Sequence, residues 1–435
     1  MYKLVSVVLL SCFVSAGFSQ TVKKAQSYFE AKQLDKAKTE IDGFLAKSPN
    51  DAEGNYLKVK IYEGIAADPV MSKTMQGDLR QDAFEAYKKV IADSANVKSK
   101  MMVMRDNYQP IFNLYTGYYE DAAKAFNDAA GAQSKAGFKD AMNLFEKANN
   151  IGQYIREKDW AKIGKVDTTL VLNIGKAALN AGEDAQAEKY FKELADEKID
   201  GTGGKVDESY SVPYQWLTLY YKNKKDVAEM KKYGELGRTL FPKENYFNLV
   251  MMDYYREAKD MPGLFNIYDE LLKANPDSTN YHFNYANDIF GYLYNSDEGT
   301  VIKDKDAMLQ KLQNELDNSM KLNPNDVNNN WLYSQYYYNK GIEARDLADK
   351  IHSTKPEDVK KKADLNAQSK DFFNKAIPYA DKAISTLEVA KLKDEKSKYK
   401  SVVNLMQNIY QSLQMKDKLK VYQDKYDTAD KVFIK

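Results

Sequence analysis

The residues of this chain that could do chemistry are few and widely separated. His282 and His352 are the two histidines among 435 residues, and neither belongs to a His-x-x-x-His or His-Glu pair of the kind that holds zinc. The sequence also has no Gly-x-Ser-x-Gly nucleophile motif. We therefore interpret His282 as a packed or partner-facing histidine rather than a catalytic one.

A glycine-rich stretch at residues 200–205 could be taken for a phosphate-binding loop. Such a loop ends in Gly-Lys followed by Ser or Thr, but here Gly204-Lys205 is followed by Val206. Three aspartates that cluster much further along the chain, Asp297, Asp304 and Asp306, do not have the spacing of a calcium loop. We predict no catalytic residue, no metal site and no cofactor, and we expect a protein that is not an enzyme.

The first twenty residues have the pattern of a secretory signal peptide. Lys3 supplies a positive charge, residues 4–14 form an apolar run, and residues 15–17 are small. The run is shorter than the ~20 apolar residues that a membrane span needs. We predict that residues 1–20 are removed after Ser19 or Gln20. A mature chain without cysteine then suits a bacterial periplasm.

Cys12 offers an alternative to plain secretion. The segment Leu9-Leu10-Ser11-Cys12 resembles the lipobox of bacterial lipoproteins, in which the cysteine becomes the lipidated first residue. However, the apolar segment continues past Cys12 to Phe18, and the apolar core before it is short. We therefore place a discarded signal first and a lipid anchor at Cys12 second.

The charges of the chain are balanced and interspersed. There are 64 Lys and Arg residues against 63 Asp and Glu residues, which predicts no attraction to nucleic acid or to anionic lipid. No later segment is a continuous apolar 18-mer, so we expect no transmembrane segment, and any contact with the envelope would be peripheral.

The strongest pattern in the chain is an internal repeat of two-helix units. In the first unit, Ala25 is followed three residues later by Tyr28 and twelve residues later by Ala37. Small residues let the two helices approach closely, and large residues fill the gaps between units. Segments that meet these spacings without insertion begin at Ala25, Ala129, Gly175, Thr218 and Met252.

Three more segments fit if the turn between their helices is lengthened. The insertions are twelve residues between Val59 and Ala83, fourteen between Ala286 and Leu312, and thirty between Ser334 and Ala376. A ninth and weaker hairpin covers residues 394–429. Pro242 and Pro276 lie one full repeat of 34 residues apart.

Signals for helix starts agree with these segments. Asp51 and Asp326 follow Pro-Asn, and Ser278 follows Pro-Asp, so each can cap the free amides of the next helix. Asp260-Met261-Pro262 places a proline where a second helix would begin.

These spacings resemble the tetratricopeptide repeat family over nearly the whole mature chain. The resemblance implies an all-α fold, a right-handed helical-hairpin solenoid of about nine hairpins. We divide it at the glycine-rich stretch into an N-terminal array, residues 21–200, and a C-terminal array, residues 201–435, which we expect to be continuous with the first.

The resemblance also implies a site, because the first helices of such arrays line a concave groove. Amide and aromatic side chains on these helices suit an extended peptide. The alternative is that the aromatic rings only pack against neighbouring helices. The predicted partner-binding residues are Tyr246, Arg256, Phe283, Asn287, Phe290, Trp331, Gln335 and Tyr338.

Two functions fit this pattern. The first is a non-enzymatic interaction scaffold of the bacterial cell envelope that binds a protein or peptide partner. The second is an outer-membrane nutrient- or glycan-binding protein that resembles the helical starch-utilisation lipoproteins, since Trp331 and the many tyrosines could stack on sugars.

The end of the signal, Phe18-Ser19-Gln20, resembles that of exported proteins from Bacteroidetes-type bacteria. This resemblance implies O-glycosylation at Asp-Ser or Asp-Thr pairs followed by an apolar residue or threonine. Helix caps explain the same residue types equally well. The four candidate acceptors are Ser94, Thr168, Ser278 and Thr428.

Overall fold

The computed structural model describes residues 21–92, 97–161, 166–296, 302 and 304–433, and these are almost entirely helical. Twenty α-helices occur in this part of the chain. They are α1 (residues 21–30), α2 (Leu34–Leu45), α3 (Ala52–Ala67), α4 (Met71–Thr74), α5 (Leu79–Ala92), α6 (Val97–Arg105), α7 (Gln109–Ala132), α8 (Lys135–Glu157), α9 (Thr168–Ala181), α10 (Asp184–Asp196), α11 (Ser211–Lys224), α12 (Val227–Leu240), α13 (Asn245–Glu257), α14 (Met261–Ala274), α15 (Thr279–Tyr294), α16 (Lys305–Leu322), α17 (Val327–Asp349), α18 (Pro356–Ala390), α19 (Lys396–Ser412) and α20 (Lys416–Val432).

Helices that follow one another in sequence pair into hairpins, which confirms the all-α tetratricopeptide-like fold. Nine hairpins occur in the described residues, as the spacings predict; hydrogen bonds from Lys24 to Glu40 and from Arg256 to Tyr268 join the helices of two of them, α1/α2 and α13/α14. Helix α4 lies inside the insertion of the second hairpin, and α6 leads from the second hairpin to the third. The hairpins are α1/α2, α3/α5, α7/α8, α9/α10, α11/α12, α13/α14, α15/α16, α17/α18 and α19/α20.

The chain divides into two compact units, one up to Val250 and one from Met251 onward, so the division falls within α13. The glycine-rich stretch, where we place the boundary from sequence, lies inside the first unit. There β1 (Gly201–Thr202) pairs antiparallel with β2 (Lys205–Val206), and Gly203 and Gly204 supply the positive φ angles of the turn.

The turns within the six hairpins that have short connections share a backbone conformation. One residue enters the left-handed region, as at Lys225 with φ 59° and Lys259 with φ 54°, and a single N-cap residue separates it from the next helix. Among these turn residues only Gly182 is a glycine; the others carry side chains at some energetic cost. The left-handed turn residues are Lys32, Gln133, Gly182, Lys225, Lys259 and Gln414.

The predicted helix caps are confirmed. The carboxylate of Asp51 accepts the amide of Gly54 at 2.7 Å, and that of Asp326 accepts the amide of Asn329 at 2.8 Å. Ser278 caps α15 in the same way, and Asp260 caps α14, whose first turn contains a proline.

The small and large positions of the repeat form the core. Small residues of the pattern are fully enclosed between helices, and the large residues that follow them fill the remaining space. This burial confirms the register of the hairpins. Examples are Ala25, Ala37, Ile41, Ala83, Tyr87, Ala141, Phe145, Ala187, Phe191, Thr218, Met230, Leu264, Tyr268, Ala286, Leu312, Leu316, Ala376 and Ala380.

Tyrosines take many of the large positions because their hydroxyls reach carboxylates on neighbouring helices. The hydroxyl of Tyr62 donates to Asp42 at 2.7 Å, and that of Tyr233 donates to Asp196 at 3.0 Å. Burial, together with the bond to Asp42, raises the pKa of Tyr62 far above its usual value. At these two positions tyrosine therefore buries a ring without leaving its hydroxyl unpaired.

The thirty-residue insertion is not a lengthened turn, which corrects the sequence interpretation. Its residues extend both helices of the eighth hairpin, so that α17 has 23 residues and α18 has 35. Only residues 350–355 connect them. A long continuous pairing buries more backbone and side-chain surface than an open loop could.

Candidate functional site

His282 lies between the two helices of its hairpin and is buried. Its Nδ1 is 2.6 Å from Oε2 of Glu315 on α16, and its Nε2 is 2.8 Å from the carbonyl oxygen of Pro276. Both ring nitrogens are thus used within the chain. His282 fixes α15 against α16, which agrees with the packed alternative of the sequence analysis.

The described residues offer no arrangement for metal chemistry. Across those ranges, no group of three or more His, Cys, Asp or Glu side chains is placed to hold an ion. No helix in the same part of the chain is long and apolar enough to cross a membrane.

On α15, the predicted binding residues divide between surface and core. Phe283 is half-buried and Asn287 is exposed, so both reach solvent. Phe290 is only 8% exposed, and its ring centroid lies 4.9 Å from that of Tyr294 on the same helix. Phe290 therefore contributes mainly to packing.

On α17, the predicted residues are half-buried. Trp331 and Tyr338 both pack against the core cluster of the last two hairpins, and the Tyr338 ring lies 5.6 Å from that of Phe373. Gln335 is also half-buried. Helix α17 contacts α15 directly, so Phe283, Asn287, Trp331 and Gln335 lie on two adjacent first helices. We call these four residues the first-helix surface.

Two predicted residues are engaged with other parts of the chain. The guanidinium of Arg256 donates to Asp288 at 2.9 Å, to Asp253 at 3.0 Å and to the hydroxyl of Tyr268 at 3.0 Å. This network holds α13 to α14 of its own hairpin and to α15 of the next. Tyr246 is half-buried, and its hydroxyl donates to the carbonyl of Gln215 at 3.3 Å.

The candidate glycosylation sites differ in access. Thr428 is exposed on α20, and its hydroxyl donates to the carbonyl of Asp424 at 2.7 Å. Thr168 is half-buried and accepts a bond from the Tyr210 hydroxyl at 3.3 Å, and Ser278 is half-buried as the cap of α15. Ser94, the signal peptide, Cys12 and Asp297 lie outside the described residues.

Sequence reasoning missed a cleft in the first unit. It has a volume of about 480 Å³ and lies between α3, the segment that contains α4, and α7. Its walls carry Glu63, Lys73, Arg80, Asn113, Asp121 and Lys124, among others. The only sequence signal for it was the twelve-residue insertion of the second hairpin, which supplies one wall.

Comparisons with known proteins add little to this geometry. The fold defines an all-α helical-repeat protein of tetratricopeptide-like type. No family model matches the sequence, and no curated protein matches it.

Several solved structures are similar at low identity. The human IFIT1 dimer with m7Gppp-AAAA is 14% identical, with 87% of this chain and 90% of that chain covered and a TM-score of 0.23. The APC/C hetero-tetramer Cut9-Hcn1 is 12% identical, with 96% and 91% covered and a TM-score of 0.23. A circular tandem repeat protein with a novel repeat topology is 8% identical, with 96% and 95% covered and a TM-score of 0.22. TM-scores this low carry no argument about function, so the fold class rests on the hairpins described above.

Proposed function

We propose that this protein is a non-catalytic scaffold of a bacterial cell envelope that holds a protein partner on its first-helix surface. The observation that carries the proposal is the placement of Phe283 and Trp331 on adjacent helices, each with its ring only half-buried. Aromatic rings are enriched in the core of protein interfaces, where they supply rigid contact area, and neighbouring amides can add hydrogen bonds.

The exposed amide of Asn287 and the half-buried amide of Gln335 complete this surface. Each amide can donate to and accept from a peptide backbone, which favours a polypeptide in an extended conformation.

The experiment is capture of partners from an envelope extract on the immobilised mature chain, residues 21–435. We expect a protein that is retained by the wild type and by Val389→Ala, an exposed apolar position on α18. The same protein should be lost from Phe283→Ala and Trp331→Ala.

Two results would oppose the proposal. Capture that nuclease treatment abolishes would point to nucleic acid, and elution by oligosaccharides would point to the glycan-binding alternative.

Mass spectrometry of the mature amino terminus tests the location: a start at Gln20 or Thr21 supports secretion, and a lipidated Cys12 supports an anchored protein.

A further inference from the structure

The segment that interrupts the second hairpin forms a cleft that a regular hairpin would lack. Residues of this segment, Pro69, Ser72 and Lys73, face side chains of α7 across a space of about 480 Å³. This volume lies within the range of ligand-binding pockets. The first helices α3 and α7, which contact each other, form the remaining walls.

The Arg80 side chain is fixed in this cleft and has its charge satisfied. Its guanidinium pairs with Asp121 and donates to the carbonyl of Ala66 at 3.4 Å. Gly117 makes room for it, because a Cβ atom there would lie 2.5 Å from Nε of Arg80. Arg80 therefore shapes the cleft, but its charge is already paired with Asp121 and is not available to a ligand.

The carboxylate of Glu63 lines the same cleft and lacks a cation. Its Oε1 accepts a bond from Nδ2 of Asn113 at 2.5 Å, and no Lys or Arg nitrogen in the described residues lies within 4.0 Å of it. The neighbouring Lys60 is bound to Asp106 at 2.5 Å instead. Burial raises the pKa of Glu63, against the opposing effects of Asn113, Lys60 and Arg80. A ligand ammonium would relieve the cost of this half-buried negative charge.

Two lysines also line the cleft, and neither forms an ion pair with another described residue. Lys73 and Lys124 are exposed and stand on opposite walls, one in the inserted segment and one on α7. They would repel a free polyamine but attract a carboxylate that accompanies the ammonium.

We propose that this cleft binds a polypeptide segment in which a lysine pairs with Glu63 and an acidic residue two positions away pairs with Lys73 or Lys124. The site belongs to the first unit and does not depend on the first-helix surface of the second unit.

The test uses the peptide Gly-Lys-Gly-Asp-Gly, with fluorescein coupled to its amino terminus and its carboxyl terminus amidated, and measures binding to the full mature chain by fluorescence anisotropy. We expect saturable binding that weakens about tenfold when norleucine replaces the lysine of the peptide and about tenfold in Glu63→Gln. The matched control Glu120→Gln, an exposed acid in the same lining, should bind within about twofold of the wild type.

Further variants separate the possible outcomes. Ala67→Trp, at an exposed wall position, should block binding while helicity and melting stay unchanged. Replacing both Lys73 and Lys124 by Ala should weaken the Asp peptide but not its Asn analogue. Equal binding of the norleucine peptide, unchanged binding to Glu63→Gln, or no binding of any peptide would overturn the inference. Spermidine that binds more tightly than the peptide would assign the site to a free amine. None of these results would alter capture through Phe283 and Trp331, so the two proposals fail separately.

Discussion

The ring of Phe191 on α10 lies directly against Gly175 on α9. A Cβ atom at position 175 would stand 2.4 Å from Cε1 of Phe191, closer than real contacts allow. The same relationship joins Phe247 to Gly237, at 2.2 Å, and Phe373 to Gly341, at 2.6 Å. In each of these contacts, two within a hairpin and one between α12 and α13, a glycine gives an aromatic ring the space to lie against the helix backbone.

Gly175→Ala should therefore destabilise the first unit by about 1–3 kcal/mol, because the added methyl group forces the Phe191 ring out of place. Gly43→Ala is the matched control, since this helical glycine is exposed and a Cβ there meets nothing within 4 Å. It should stabilise the protein by about 0.5–1 kcal/mol through helix propensity. Urea unfolding measures both changes, and the same sign for both variants would contradict this account.

A charge at a small position of the pattern should be far more damaging. Ala187 is fully buried, so Ala187→Arg places a cation without a partner between two helices and should cost more than about 4 kcal/mol. Ala37→Arg should behave alike, since Ala37 is equally buried. Ala132→Arg, at an exposed position of α7, should melt like the wild type. Circular dichroism melting curves decide the matter, and an unchanged melting curve of Ala187→Arg would show that the register is wrong.

Acid should weaken the first unit at Asp106. The bond from Lys60, aided by that from Tyr56 and opposed by burial, lowers the pKa of Asp106 to about 2 from an ordinary value of 3.8. The stability from this ionised group is therefore complete above pH 3.8 and is lost as the pH falls through about 2. Asp106→Asn should lower the free energy of unfolding at pH 5 by about 1 kcal/mol or less. The difference between variant and wild type should disappear as the pH falls toward 2. Glu53→Gln removes an exposed ion pair with Lys98 and should leave the free energy of unfolding at pH 5 unchanged. If the difference between Asp106→Asn and the wild type stays constant with pH, stability is not linked to the ionisation of Asp106.

Partner binding should depend on the two half-buried rings. Phe283→Ala and Trp331→Ala should each weaken binding of the captured partner by at least about 1 kcal/mol, roughly fivefold, with helicity intact. Leu316→Ala is the contrasting variant, because this buried residue of α16 stabilises the fold without reaching the surface. It should lower stability by about 2–5 kcal/mol yet leave the affinity of the folded protein unchanged. Surface plasmon resonance with the purified partner gives these affinities, and wild-type affinity in both aromatic variants would remove the first-helix surface as the site.

The extent of O-glycosylation should depend on how exposed each serine or threonine hydroxyl is. In a host with O-glycosylation at Asp-Ser and Asp-Thr pairs, we expect hexose-sized mass increments on the exported protein, with the exposed Thr428 occupied more fully than the half-buried Thr168. Intact mass spectrometry of the native protein and of variants with Ala at Ser94, Thr168, Ser278 and Thr428 checks this. A native mass equal to that of the bare mature chain would rule it out.

The sequence by itself determined the hairpins, because their evidence is local. Small and large residues recur at distances set by the helix period, so Ala37, Ala187 and Ala376 identify buried faces without any knowledge of their neighbours. Caps such as Asp51 act over three residues and are equally visible in the sequence.

Only the tertiary structure decided how the insertions are used and which polar groups meet. Most of the thirty inserted residues became helix because α17 and α18 pack against each other, a gain that no local spacing records. Glu63 and Asn113 are fifty residues apart in sequence, as Lys60 and Asp106 are forty-six apart. Long-range pairs of this kind depend on how hairpins pack together. The cleft, the half-buried carboxylate and the surface left uncovered at Phe283 and Trp331 are properties of that packing.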